Sequence, residues 1–201
     1  MTNGAELSQD WHGKPLRTSA CYQLMEVEEG LLFRVGRAVV PGRLLGRRGE
    51  FFEGLWEAEA GELFLMVPGK QLPAQSDECY LEVNLGPMGA FWVMAFDGVR
   101  QRRVEALELT GVRANGAVER DGWWAELLLP WLFLSQNGLD LENLHGDVCF
   151  VCEEEKGLAF ASLNADSKIE PDFHRPSAWG CLEVVKHGGF SGTRETTGEG
   201  A

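Results

Sequence analysis

Basic residues are the scarce class in this chain: 18 Lys and Arg stand against 31 Asp and Glu, for a formal net charge of −13 at pH 7. Phosphate contacts need clustered guanidinium and ammonium groups, so neither nucleic acid nor an anionic membrane surface is an expected partner. Two small basic groups, Arg43 with Arg47 and Arg48, and Arg100 with Arg102 and Arg103, read as solvated loop or strand ends. Long apolar runs are missing too, and no stretch approaches the roughly twenty residues of a membrane span. The opening residues, MTNGAELSQDWHGKP, lack a basic region followed by an apolar run. Five cysteines, at positions 21, 79, 149, 152 and 181, are odd in number and too scattered for a disulfide framework. Together these absences point to a cytoplasmic protein.

The familiar catalytic signatures are absent as well: no glycine-rich phosphate loop, no G-x-S-x-G elbow and no H-E-x-x-H pair occurs. Cys149 and Cys152 have the C-x-x-C spacing. They fall inside a strand pattern, however, where residues three apart face opposite sides, and no second ligand pair follows. No metal and no catalytic residue set is expected.

What remains is the balance of a packed globular protein, 44% hydrophobic and 24% charged. Without an internal repeat or a linker, residues 1–186 read as a single domain, and the glycine-rich polar stretch 187–201 as a disordered tail. Residues 1–18 show no periodic pattern. Residues 21–27 and 30–35 read as a hairpin around the acidic turn Glu28-Glu29-Gly30, and 36–54 as a long excursion. The centre of the chain, residues 55–103, reads as three strands. In the second of these Cys79, Leu81, Val83 and Leu85 share a core face, while Tyr80, Glu82 and Asn84 are presented outward together. A solvated sheet face would give the same pattern. The third strand, 91–96, is apolar on both sides; its Trp92 suits either a core position or the wall of a groove.

Further strands are expected over 104–110, 122–130, 147–153, 157–163 and 179–185, with turns at Asn115-Gly116 and Asp121-Gly122 and a short helical or irregular piece over 132–144. Glu126 would need an Arg or a hydroxyl if buried. The pattern predicts an all-β, antiparallel β-sandwich of the immunoglobulin or jelly-roll kind, two packed sheets with little helix.

A ligand face can be drawn from Trp56, Glu62, Tyr80, Glu82, Asn84, Trp92 and Arg100, with His174 from the polar loop before the last strand. Indole rings pack on the C–H faces of a pyranose, and carboxylates, amides and guanidinium groups pair with neighbouring hydroxyls. His174, between Pro171 and Pro176, reads mainly as a residue that locks a rigid turn through its ring nitrogens. The hydrolytic alternative would use Glu82, His174 or Asp172, or a carboxylate pair drawn from Glu62, Glu82 and Glu126.

Four motifs in order, LWE followed by ELFL, YLEVNLGPMGAFWVMAFDGVR, DGWWAELLLPW and PDFHRPSAWGCLEV, resemble landmarks of DOMON-like domains related to family 9 carbohydrate-binding modules, across residues 55–185. Where those modules often carry an Asp before the Glu, this chain has Glu57-Ala58-Glu59-Ala60-Gly61-Glu62. The resemblance implies a β-sandwich that binds a carbohydrate or sugar-like small ligand without catalysis, an aromatic pair clamping it and Trp56 forming one jaw. Some relatives hold haem, which here would fall to His174 with Met94 or Met66; no cofactor is expected. An interaction module for a protein partner is the alternative use of the same exposed aromatics.

Overall fold

The computed structural model describes residues 4–66, 79–139 and 141–186. The expected tail at 187–201 lies outside the described residues. Strands alternate side chains between faces, and here the alternation sorts them into two packed sheets. One sheet holds β1 (Ala5–Gln9), β2 (Pro15–Val27), β3 (Gly30–Arg37), β9 (Trp123–Pro130) and β8 (Arg113–Val118) in that order, with β13 (Val185–Lys186) joined parallel to β2. The other holds β11 (Gly157–Ser162), β10 (His145–Glu154), β4 (Ala60–Met66), β5 (Tyr80–Leu85), β6 (Phe91–Gly98) and β7 (Gln101–Arg102), with β12 (Gly180–Cys181) beside β10. The remaining pairings are antiparallel. A six-residue helix, α1 (Trp131–Gln136), begins where Pro130 ends β9.

Leu63, Leu65, Leu81, Val83, Val93, Val148 and Phe150 from one sheet pack against Leu24, Leu31, Phe33, Val35, Leu127 and Leu129 from the other. That is the core face foreseen for β5. The opposite face of the same strands is also closed. Tyr80, Phe64, Trp92 and Phe96 form a second cluster under Trp179 and Phe173, because the loop after β11 folds back over the sheet.

Several expectations change. Residues 5–9 form a strand, and β2 starts at Pro15, so the amino-terminal stretch is structured from residue 5. Leu55–Glu57 is a turn of 3₁₀ helix rather than part of a strand. Residues 104–110 are not a strand: Arg103 turns back to donate its N–H to Ala95, and Val104 is left 94% exposed. Asn115-Gly116 lies inside β8 instead of a turn. Gly116 is required there because the turn between β5 and β6 presses on it, and a Cβ would sit 2.6 Å from the Gly89 nitrogen. The stretch 179–185 makes only two short pairings. The Asp121-Gly122 turn does connect β8 to β9, and Glu126 does find an Arg, donating partner Arg34 at 2.6 Å.

Candidate functional site

The register of the second sheet assembles the site in rows. Cys149, Glu62, Asn84 and Trp92 lie side by side across β10, β4, β5 and β6. Asp147, Phe64, Glu82 and Met94 form the next row, and Tyr80, Phe96 and Arg102 the one after. Each row is a ladder of directly opposed residues, so side chains from four strands stand within contact distance of their neighbours.

Above these rows lies a cavity of about 420 Å³. Glu62, Glu82 and Val151 lie along its sheet side, Trp56, Trp92, Phe96 and Arg102 flank one end, and Phe160 comes from the opposite edge of the sheet on β11. Pro171, Asp172, Phe173 and His174 line it from the covering loop. That loop is pinned by short bonds: Trp11 Nε1 donates to the Ile169 carbonyl at 2.9 Å, Trp179 Nε1 to the Phe173 carbonyl at 3.2 Å, and the His174 N–H to Asp172 Oδ1 at 3.0 Å. Phe173 also packs against both Trp11 and Phe160, with ring centroids at 5.9 and 6.0 Å.

Of the eight residues singled out in the sequence, Trp56, Glu62, Glu82, Trp92, Arg100 and His174 reach the cavity. Tyr80 and Asn84 do not; they are fully buried beneath it and hold the residues that do. The outward-facing set of β5 is therefore neither solvated nor freely presented, because the loop removes it from water. Tyr80 Oη lies 2.6 Å from His174 Nδ1 and accepts the Arg100 N–H at 3.2 Å. His174 Nδ1 is thus engaged by Tyr80, and Nε2 faces Glu82 Oε2 at 3.7 Å. Asn84 Nδ2 donates to Glu82 Oε1 at 2.7 Å. His174 thus locks the loop, as its flanking prolines suggest, and faces the ligand space as well.

The basic triplet lies at a strand end with Arg100 and Arg102 exposed, as its sequence suggests, and each of the three is paired with an acid. Arg100 reaches Asp172 Oδ1 at 2.8 Å, Arg102 reaches Glu53 at 2.5 Å, and Arg103 reaches Asp97 at 2.8 Å. Arg102 also lies over the Trp92 and Trp56 rings, 5.0 and 5.9 Å from their centroids. Among the described residues Arg100 is the one non-glycine with positive φ, at 58°, and it sits at the rim of the cavity.

Trp56 and Trp92 meet edge to face with centroids 5.2 Å apart. No sugar ring fits between them, so Trp92 supports Trp56 and is not a second jaw. The rings available on the far side are Phe160 and Phe173. Phe160 carries a signal that strand alternation alone can find, since 157–162 is an evident strand; what pairs it with Glu62 and Trp56 is long-range register.

Burial shapes the electrostatics. It pushes the Glu62 carboxyl well above the usual carboxylate range, helped by the negative charges of Glu82 and Asp147. Glu82 is pushed up to about 7 by burial, against the pull of the Asn84 hydrogen bond and the Arg102 and Arg100 charges. His174 is lowered to about 4 by burial, followed by the Arg100 charge, so it is neutral at physiological pH. Asp147, raised by burial, accepts from the Ser162 hydroxyl at 2.7 Å and the Leu163 N–H at 3.1 Å beside this row. Cys149 faces this side and Cys152 the inter-sheet core, both as free thiols. Glu126 lies on the other sheet, so of the three glutamates considered for a carboxylate pair Glu62 and Glu82 are the two that line the cavity.

No protein-family model matches the chain. Among solved structures it is similar in fold to a candidate carbohydrate-binding protein from Bacteroides uniformis, with a TM-score of 0.67 and 14% identity over 90% of this chain and 86% of that one. A family 9 carbohydrate-binding module from Caldicellulosiruptor kristjanssonii in complex with glucose gives a TM-score of 0.56 at 14% identity, covering 92% and 85%. The corresponding cellotriose complex gives 0.55 at 10% identity, covering 94% and 86%. The likeness to these structures is one of fold. In sequence, the human UPF0462 protein C4orf33 is 23% identical over 195 residues, 92% of this chain and 87% of its own length. The UPF0462 protein C4orf33 homolog of Danio rerio is 30% identical over 158 residues, 74% of this chain and 72% of its own length, and the chain therefore belongs to the UPF0462 family.

Proposed function

We propose that this protein binds a carbohydrate, without acting chemically on it, in the cavity above the second sheet. The observation that carries the reading is the cavity itself: two buried carboxylates beside the indole of Trp56, with an imidazole and two guanidinium groups around them. Hydroxyl pairs bond to such carboxylates and arginines, while a pyranose C–H face covers an aromatic ring. The volume, about 420 Å³, suits a small ligand held largely out of water. The fold neighbours that hold glucose and cellotriose support the same reading. Haem fits poorly here, because His174 Nε2, the nitrogen left for an iron, already faces Glu82 Oε2 at 3.7 Å.

Titration calorimetry of the full chain against a panel of mono- and disaccharides tests this. A sugar in the panel should bind, and Trp56→Ala should weaken it by about tenfold or more, the loss of one stacking surface. Absence of binding to every sugar, or binding indifferent to both Trp56→Ala and Glu82→Gln, would overturn the proposal. Turnover of an aryl glycoside that is lost in Glu82→Gln would overturn its non-catalytic part.

A further inference from the structure

Resting on the carbohydrate reading above, the geometry points to a sugar that carries a free amine, with Glu62 as the group that takes its ammonium. Glu62 is 3% exposed and its side chain lines the cavity, yet no hydrogen bond or ion pair reaches its carboxylate among the described residues. The other acids around the cavity are partnered. Glu82 accepts from Asn84, Asp172 from Arg100, Glu53 from Arg102, and Asp147 from Ser162. The two guanidinium groups at the rim are thereby matched to acids of their own, and among the described residues Glu62 has no cation.

The charges that act on Glu62 are those of Glu82 and Asp147, both negative. A buried carboxylate without a partner is costly, and the cost is relieved by a positive group entering from outside. Neutral hydroxyls would supply a hydrogen bond but no charge. An ammonium supplies three N–H donors and the missing charge together. It would also reach both carboxylates. Glu62 on β4 is directly opposite Asn84 on β5, so Glu82 occupies the diagonal position, with Cβ atoms roughly 7 Å apart.

The surroundings of Glu62 fit this assignment. Asn84 Oδ1 is buried without a partner among the described residues, and it belongs to the residue directly opposite Glu62. A Glu62 that has kept its proton brings an O–H donor to the position opposite that residue. An arriving ammonium would then displace the proton from Glu62, and binding would release it to the buffer.

Glucosamine, glucose and N-acetylglucosamine titrated into the full chain at neutral pH, in buffers of different ionisation enthalpy, test the assignment. Glucosamine should bind about tenfold more tightly than the other two and release a proton that they do not. Glu62→Gln, whose shape and hydrogen-bonding capacity are nearly those of the protonated acid, should bring glucosamine to within about twofold of the variant's own glucose affinity and abolish the proton release. Equal affinity for glucosamine and glucose in the unaltered protein, or a preference that survives Glu62→Gln, overturns the amine assignment and leaves the carbohydrate reading standing. Binding of none of the three overturns both.

Discussion

Glu82 and His174 face each other at 3.7 Å, and burial moves them in opposite directions. A carboxyl whose pKa is higher in the folded than in the unfolded state keeps its proton longer when folded. The folded protein therefore loses ground as pH rises from about 4.3, the unfolded value, towards the folded value of about 7. For His174 the folded imidazole refuses a proton that the unfolded chain accepts, so stability falls as pH drops from about 6.5 to about 4. The two effects oppose each other across nearly the same pH window, which hides both in the unaltered protein. Substituting Glu82→Gln exposes them. Relative to the unaltered chain, the variant should gain about 3 kcal/mol between pH 4 and pH 8, measured by urea unfolding at both ends. A difference that is the same at both pH values would show that Glu82 ionises in the folded protein as it does in the unfolded one.

At the scale of elements, the two sheets are joined by a polar bridge as well as by the apolar core. Arg37 at the end of β3 is buried and donates to Glu59, just before β4, at 2.8 Å, and to Glu154 on β10 at 2.7 Å. Glu59 also accepts from Trp123 Nε1 at 3.1 Å and from the Glu153 N–H at 2.6 Å. Burial raises the Glu59 carboxyl even so, with Arg37 pulling the other way. Arg37→Met should destabilise the fold by about 3–5 kcal/mol, since it strands a buried carboxylate, and adding Glu59→Gln should recover a large part of the loss. Denaturant unfolding of the single and double variants measures this; a single-variant loss below about 1 kcal/mol would mean that Glu59 is not held as a charge. None of this bridge was legible in the sequence, because Arg37 and Glu59 sit at strand ends where alternation is weakest. Strands with clean period-two patterns, such as β5 and β9, were legible together with their core faces. Residues 104–110 and Asn115-Gly116 misled for a local reason: a β-like composition and a turn dipeptide state a preference, and the return of Arg103 and the pressure of the 86–90 turn on Gly116 override it.

Across the whole molecule, the site depends on pairings between segments far apart in the chain. Residue types for the cavity could be collected from 55–103, but β10 lies between β4 and β11, and Trp11 fastens the covering loop at Ile169. Local periodicity carries no information about such partners, which is why Arg102 and Phe160 could not be assigned to the site and why Tyr80 and Asn84 were taken for surface residues. Net charge, by contrast, needs no fold to be read. At −13 the molecule surrounds itself with a negative potential that screens with salt and draws in cations. A ligand amine meeting Glu62 would feel both this field and the local carboxylates, whereas a neutral sugar would feel neither. Glucosamine affinity should therefore fall as NaCl is raised from about 20 to about 500 mM, by roughly threefold to tenfold, while glucose affinity stays constant. Parallel salt titrations of the two sugars measure it; identical salt dependence for both would remove electrostatic attraction from the account of this cavity.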